Sequence, residues 1–218
     1  MSDEDDDDAP GWDAIDAALA RVYGQTKPLH YGSPKPVSLG GSLDGISVFQ
    51  NPTLPHWHYI TYGLTELYGK VSSDAEHSGW GFELCFRLKR GPEQQPPIWA
   101  LSLLQNLADY VWKSKRVLEP GQTMDFRGPI SMGQAPTELS AAFFAADPDL
   151  GHIQTPNGKV AFVTVVGILN AEIPLAKANA AAFQARLAAG NRLLVTDLDR
   201  KTTPPEAPAK RKNPFGFE

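Results

Sequence analysis

The sequence predicts an α+β fold: a mixed, largely antiparallel sheet flanked by helices, forming a single domain between two disordered tails. Three observations lead there. Strand-like segments come in clusters, without the regular strand–helix alternation of a doubly wound sheet. The strongest, WGFELCFRLKR (80–90), sets Trp80, Phe82, Leu84, Phe86 and Leu88 on one face and Gly81, Glu83, Cys85, Arg87 and Lys89 on the other. A long helical pattern over 99–116 places Leu101, Leu104, Ala108 and Val111 on one face, widened by Leu103, Leu107 and Tyr110, as expected of a well-buried helix.

The remaining elements follow in order. Residues 2–9 are an acidic run with too little apolar content to fold, so 1–10 is read as a tail. Trp12, Ile15, Leu19 and Val22 recur at helical spacing and Gly24 follows them, which makes 11–23 an amphipathic helix. Pro28, Pro34, Pro36, Gly40 and Gly41 mark a loop. Ile46, Val48 and Phe49 form a short strand before a turn at Asn51-Pro52, and the aromatic, β-branched run 56–64 forms the next. QTMDF (122–126) reads as a strand, whereas SAAFFAA (140–146) fits a strand or a short helix equally. A turn at Pro156-Asn157-Gly158 leads into a central strand over 159–169. The Ala-rich stretch 174–188 reads as one helix with Pro174 in its first turn and Gly190 as its stop. RLLVTDL (192–198) is expected to be a last buried strand. The domain is thus placed at 11–200, and the Pro-rich segment 201–218 with its Lys210-Arg211-Lys212 cluster is read as a second tail.

Composition narrows the function classes. The net charge is −5 and the acidic run carries most of it, so no basic field exists to gather nucleic acid or anionic lipid. Cys85 is the sole cysteine, which rules out an intrachain disulfide and a Cys-rich zinc site. No apolar h-region opens the chain and no stretch approaches the ~18 apolar residues of a membrane span. A cytoplasmic protein that engages neither membrane nor nucleic acid is the expectation.

Candidate chemistry is sparse. His56 and His58 sit two apart on a presumed strand, so both imidazoles face the same way and could ligate a metal with Glu66, Glu83 or His152 as a third donor. A pair of hydrogen-bonded histidines beside an aromatic cluster explains them more simply. Glu83 is matched to Arg87, two residue pairs along the same face, as a structural ion pair. Cys85 lies mid-strand between Leu84 and Phe86, where a thiol is filler rather than nucleophile. There is no G-x-S-x-G elbow and no phosphate loop or dinucleotide fingerprint. The expected protein is not an enzyme, and it takes no cofactor and no metal.

LPHWHYITYGLTELYGK (54–70) followed by SGWGFELCFRLKR (78–90) resembles the signature of Suppressor of Fused domains. The likeness continues through LLQNLADYVWKSK in the long helix, IQTPNGKVAFVTVVGI (153–168) and LLVTDLDR (193–200). His56, Trp57, His58, Tyr59, Gly63, Leu67, Tyr68, Gly81, Phe82, Glu83, Phe86 and Arg87 carry the signature and are assigned structural roles. The resemblance implies a non-catalytic protein-binding module. Animal members restrain Gli-type transcription factors by clamping an extended peptide between two domains, partly through strand addition. Bacterial members are typically single-domain, and many are thought to be immunity proteins that neutralise a toxin; the chain is read as one of these. In animal members a tyrosine late in the long helix and an acidic residue about a dozen positions on touch the peptide. The first aligns with Tyr110; the second falls at Gln122, so the acidic partner is missing. Tyr110, Gln122 and Phe126 are therefore the candidate partner-binding residues, with a toxin or a peptide segment as partner.

Overall fold

The structure, a computed structural model, describes residues 8–51 and 54–201. Most of tails 1–10 and 201–218, and Pro52 of the expected turn, lie outside the described residues. One helix, α1 (Pro10–Tyr23), opens the fold, followed by strands β1 (Leu29–Gly32), β2 (Gly45–Asn51), β3 (His56–Tyr62) and β4 (His77–Lys89). The long helix α2 (Ile98–Ser114) precedes β5 (Thr123–Asp125), β6 (Leu139–Ala146), β7 (His152–Thr155) and β8 (Gly158–Leu169). Two short helices, α3 (Ile173–Ala178) and α4 (Ala180–Ala188), are the last among the described residues.

The strands form one sheet in the order β1-β2-β3-β4-β8-β6-β5, with β7 hairpinned onto the start of β8. Every pairing is antiparallel except β4 with β8. Helices cover both faces. Phe82, Leu84, Phe86 and Leu88 of β4 pack with Leu104, Leu107 and Val111 of α2. The alternate residue Cys85 joins Ile15 and Leu19 of α1 in a second cluster, and Phe143 of β6 meets Phe183 of α4 in a third. Burial on two sides explains why all seven residues of β3 are buried. It also settles 140–146 as a strand, because Phe143 and Phe144 point into opposite, equally apolar layers.

Four local expectations change. Leu29–Gly32, inside the stretch read as loop, forms an edge strand on β2 whose residues are mostly exposed and so leave no hydrophobic period. The turn at 156–158 closes a complete hairpin, with Thr155 opposite Gly158. The Ala-rich helix is broken at Asn179, whose backbone is extended and whose Oδ1 accepts from Ala182 N at 2.9 Å, an N-cap that starts α4 afresh. Segment 192–198 is not a strand. Asn191 closes a turn on Val195 through both its side-chain atoms, Leu194 takes a positive φ of 55°, and one parallel bridge joins Thr196 to Leu88. Thr196 Oγ1 accepts from Gly167 N at 2.9 Å. A Cβ on Gly167 would lie 2.8 Å from Thr196 Cγ2, so only glycine permits this close approach.

Candidate functional site

His56 and His58 of β3 and Glu83 and Arg87 of β4 are sealed in the core. Glu83 is fully buried and does not meet Arg87. Its Oε1 accepts from Gly63 N (3.0 Å), Thr65 N (2.9 Å) and Thr65 Oγ1 (2.7 Å), and its Oε2 accepts from Thr61 Oγ1 (2.6 Å). Burial outweighs these hydrogen bonds and pushes its pKa up to about 7. The carboxylate pins the chain leaving β3, where Gly63 has φ 124° and no room for a Cβ beside Asp44 N. The expected Glu83–Arg87 pair fails because separate partners reach each residue from loops distant in sequence.

Arg87 instead donates through both terminal nitrogens to Asp147, with Nη2–Oδ1 at 3.1 Å, and reaches Asp149 Oδ2 at 3.3 Å. Burial alone would raise the Asp147 pKa, but the guanidinium prevails and holds it well below the usual range. His58 Nε2 lies 3.8 Å from Asp147 Oδ2, and its Nδ1 shares a 2.8 Å hydrogen bond with Tyr23 Oη, which ties α1 to the sheet. Burial, reinforced by Arg87, keeps His58 neutral and lowers His56 to about 4.

His58, Cys85 and Asp147 are the one set of described residues whose donor atoms gather within 4.8 Å. A cation there would compete with the Arg87 guanidinium, because Asp147 already accepts from Arg87, Thr164 Oγ1 and the backbone N–H groups of Asp149 and Leu150. Glu66, Glu83 and His152 do not belong to this set. Glu66 serves the loop after β3, accepting from Gly79 N at 2.9 Å and Val71 N at 2.7 Å. His152 is exposed on β7. Burial pushes the Cys85 thiol up, away from the thiolate a nucleophile requires.

His56 provides a pH test. Its folded pKa is depressed, so the stability it supports is present above the unfolded histidine value of ~6.5 and is lost as pH falls through about 4. Melting temperature followed from pH 7 to 4 should therefore decline less steeply in His56→Phe than in the parent. Parallel curves would refute the assignment.

The other signature residues also build the interior. Trp57 Nε1 donates to Glu93 Oε1 at 2.9 Å and Tyr59 Oη to the Pro97 carbonyl at 3.2 Å. Phe82 and Phe86 underlie α2, and the buried Leu67 accepts from Gly11 N at 2.8 Å through its carbonyl. Gly81 has φ 82°. Tyr68 differs: it is 57% exposed, on the rim of a depression that Trp80 and Trp112 also line.

The predicted partner-binding residues line open surface between α2 and β5. Tyr110, half-buried near the end of α2, lines two adjoining depressions of about 580 and 350 Å³, and Met124 of β5 lines both as well. The first also takes in Leu118, Gln122 and Phe144, with Arg116, Glu119 and Lys177 at its margin. The second takes in Leu107, Phe126, Ile130 and Met132, with Asn106 beside them, and is mostly apolar. Tyr110 thus meets Gln122 in one depression and Phe126 in the other. Met124 escaped notice in the sequence, although its place midway between Gln122 and Phe126 puts all three on one side of a strand.

Beside the depressions runs the end of the sheet. Phe144 N donates to the Gln122 carbonyl and Phe126 N to the Ser140 carbonyl, so Gln122, Met124 and Phe126 turn their backbone groups toward β6. Antiparallel alternation directs those of Thr123 and Asp125 to the outer side, where no further strand pairs.

The family model for Suppressor of fused protein (SUFU) matches residues 41–201, most of this chain and all of this surface. The chain belongs to the Suppressor of fused family. Suppressor of fused homologs of human and mouse are each 33% identical to it over 177 residues, covering 71% of this chain and 36% of theirs. The chain thus spans about a third of the length of these relatives. A Sufu–Fu complex structure superposes with a TM-score of 0.81 at 31% identity, over 90% of this chain and 93% of that one. Drosophila Suppressor of Fused gives the same score and identity over 93% of this chain and 53% of its own. A putative homolog from Neisseria gonorrhoeae, 14% identical with a TM-score of 0.58 over 88% of this chain and 96% of its own, shares the fold. Among the described residues, no helix of this Suppressor of fused domain is long and apolar enough to cross a membrane.

Proposed function

We propose that this domain is a non-catalytic protein-binding module that receives an extended peptide along β5. One observation carries the reading: the outward backbone groups of Thr123 and Asp125 run beside two depressions that share Tyr110 and Met124. Main-chain hydrogen bonds to the edge would supply affinity and side chains in the depressions would supply selectivity. One of the similar structures is that of a Sufu–Fu complex, which supports a protein as the partner class. Meanwhile Glu83, Cys85, His56 and His58 are buried away from this surface, where they would serve stability. Gln122 is exposed and neutral, so a cationic or histidine-bearing segment would lack a charge-assisted hydrogen bond of roughly 1.5–3 kcal/mol at that position. An immunity role toward a toxin rests on the resemblance to bacterial members; the groove favours an extended segment over a folded toxin surface.

The test is affinity capture followed by titration of the recovered partner. Tyr110→Ala should weaken binding tenfold or more, the effect of losing ~1.4 kcal/mol. Thr123→Pro removes an outward N–H while leaving the bonds to β6, and proline is tolerated on edge strands; it should weaken an extended peptide comparably. Binding that survives Thr123→Pro but not Tyr110→Ala would point to a folded partner such as a toxin. Binding unaffected by either would sink the site.

A further inference from the structure

Among the signature residues Tyr68 alone is exposed, and the interior does not account for it. We propose that the depression it rims binds a small alkylated ammonium, with Asp44 as the counter-charge. This depression shares no lining residue with the two around Tyr110. Trp112, which lines it, stands two positions from Tyr110 on α2 and so faces a different side of the helix. The inference is therefore independent of the peptide groove.

The space is of the right size and character. It measures about 560 Å³, within the roughly 300–1,000 Å³ usual for small-molecule sites, and its lining is mostly apolar. Trp80 of β4 and Trp112 of α2 meet edge to face, with ring centroids 5.4 Å apart at 81°. Leu64, Tyr68 and Val71 of the loop after β3 add a third ring and aliphatic surface.

The walls are held in place before any ligand arrives. Trp112 Nε1 donates to the Ser42 carbonyl at 3.0 Å, and Trp80 N to the Leu64 carbonyl at 2.9 Å. The loop that carries Tyr68 is tied down at Glu66. Its carboxylate accepts from Gly79 N at 2.9 Å, and its carbonyl accepts from Asn157 Nδ2 at 2.8 Å. Little ordering is left to oppose binding.

Asp44 gives the site its sign. Its Oδ1 accepts from Val37 N at 3.0 Å, and no cation among the described residues pairs with it. Burial raises its pKa despite that hydrogen bond, and its charge acts on the Tyr68 phenol, so the two lie within reach of one another. Glu66, the other carboxylate of the lining, is already engaged by Lys70 Nζ at 3.0 Å. A carboxylate beside aromatic rings attracts a cation both by its charge and through the ring quadrupoles. The indole pair already draws one: the exposed Lys115 Nζ stands 5.4 Å from both ring centroids without lining the depression. A primary ammonium is compact and strongly hydrated, which keeps it at the surface. A trimethylammonium head sheds water more readily, and its methyl groups match the apolar wall. That head is the ligand chemistry, carried by a free small molecule such as choline or by a trimethylated lysine.

Choline titrated into the full chain by calorimetry tests the site. Saturable binding is expected, and at least tenfold weaker binding of dimethylbutanol, the neutral isostere with carbon in place of nitrogen. Asp44→Asn keeps an acceptor for Val37 N, and Tyr68→Ala alters an exposed side chain, so both should melt with the parent. Each should bind choline at least tenfold more weakly; if Asp44→Asn is unstable, Tyr68→Ala carries the comparison. A peptide bearing trimethyllysine, titrated in parallel, identifies the source. Affinity tenfold above that of choline points to a modified protein tail, and equal or lower affinity to a free small molecule. No saturable binding of either probe, equal binding of dimethylbutanol, or choline affinity unchanged by both substitutions would overturn the inference. Each of those results leaves the β5 groove, judged by Tyr110→Ala, untouched.

Discussion

Asp147→Asn should be among the most destabilising single substitutions in this protein, costing about 3–5 kcal/mol. Arg87 is buried mid-sheet on β4, and Asp147, at the end of β6, neutralises it through a paired contact. Asp149 offers a second carboxylate at 3.3 Å, but it is partly exposed and engages one nitrogen. An amide at 147 retains some hydrogen bonding and loses the charge, leaving a guanidinium in a low-dielectric layer beside two neutral histidines. Urea unfolding measures the loss. The informative comparison is Arg87→Met with Asp147→Asn: removing both charges while the amide oxygen still accepts from the Asp149 and Leu150 N–H groups should restore much of what the single change costs, because the penalty belongs to the unpaired charge. A double variant as unstable as Asp147→Asn would show that the pair itself, rather than its compensation, holds β4 and β6 in place.

Glu83→Leu should cost about 3–5 kcal/mol and Glu83→Gln far less. Leucine is close in volume, so the difference is polar. It strips acceptors from two buried backbone N–H groups, at Gly63 and Thr65, and from two hydroxyls, each unsatisfied group costing about 1–3 kcal/mol. Glutamine can keep its carbonyl toward Gly63 and Thr65 while its NH2 donates to Thr61 Oγ1, whose hydroxyl can turn toward the Leu84 carbonyl. Because burial already moves this carboxyl up to about 7, a neutral replacement is a mild change near neutrality. Chemical denaturation of both variants at pH 7 checks the contrast. Equal losses would mean that packing, and not the satisfied loop, sets the requirement for Glu83.

Glu83 and Arg87 mark the limit of what could be read from residues in line. The alternation in 80–90 identified both faces of β4, because strand geometry obliges Phe82, Leu84, Phe86 and Leu88 to one side and Glu83, Cys85 and Arg87 to the other. It could not say who meets Glu83 and Arg87. A same-face neighbour was the nearest choice in sequence, yet Arg87 lies 60 residues from Asp147 and the two meet only because β8 pairs with both β4 and β6. Segment 192–198 failed for a related reason. Its apolar run looked like a buried strand, but Asn191 and the positive φ of Leu194 fold it into a turn held by Thr196 against Gly167.

The candidate site divides in the same way. Tyr110, Gln122 and Phe126 were singled out by resemblance, and alternation within 122–126 already aligned two of them with Met124. Their convergence with α2, and the position of β5 at the end of the sheet, depend on strand order. By itself the sequence determined the α+β class, the long buried helix, the two-faced β4 and the family, since period and local motif suffice for each. The partners of the buried charges, the place of β5 at the end of the sheet and the paired depressions around Tyr110 were decided by tertiary structure alone. These are contacts between elements far apart in the chain, and no local period encodes which elements become neighbours.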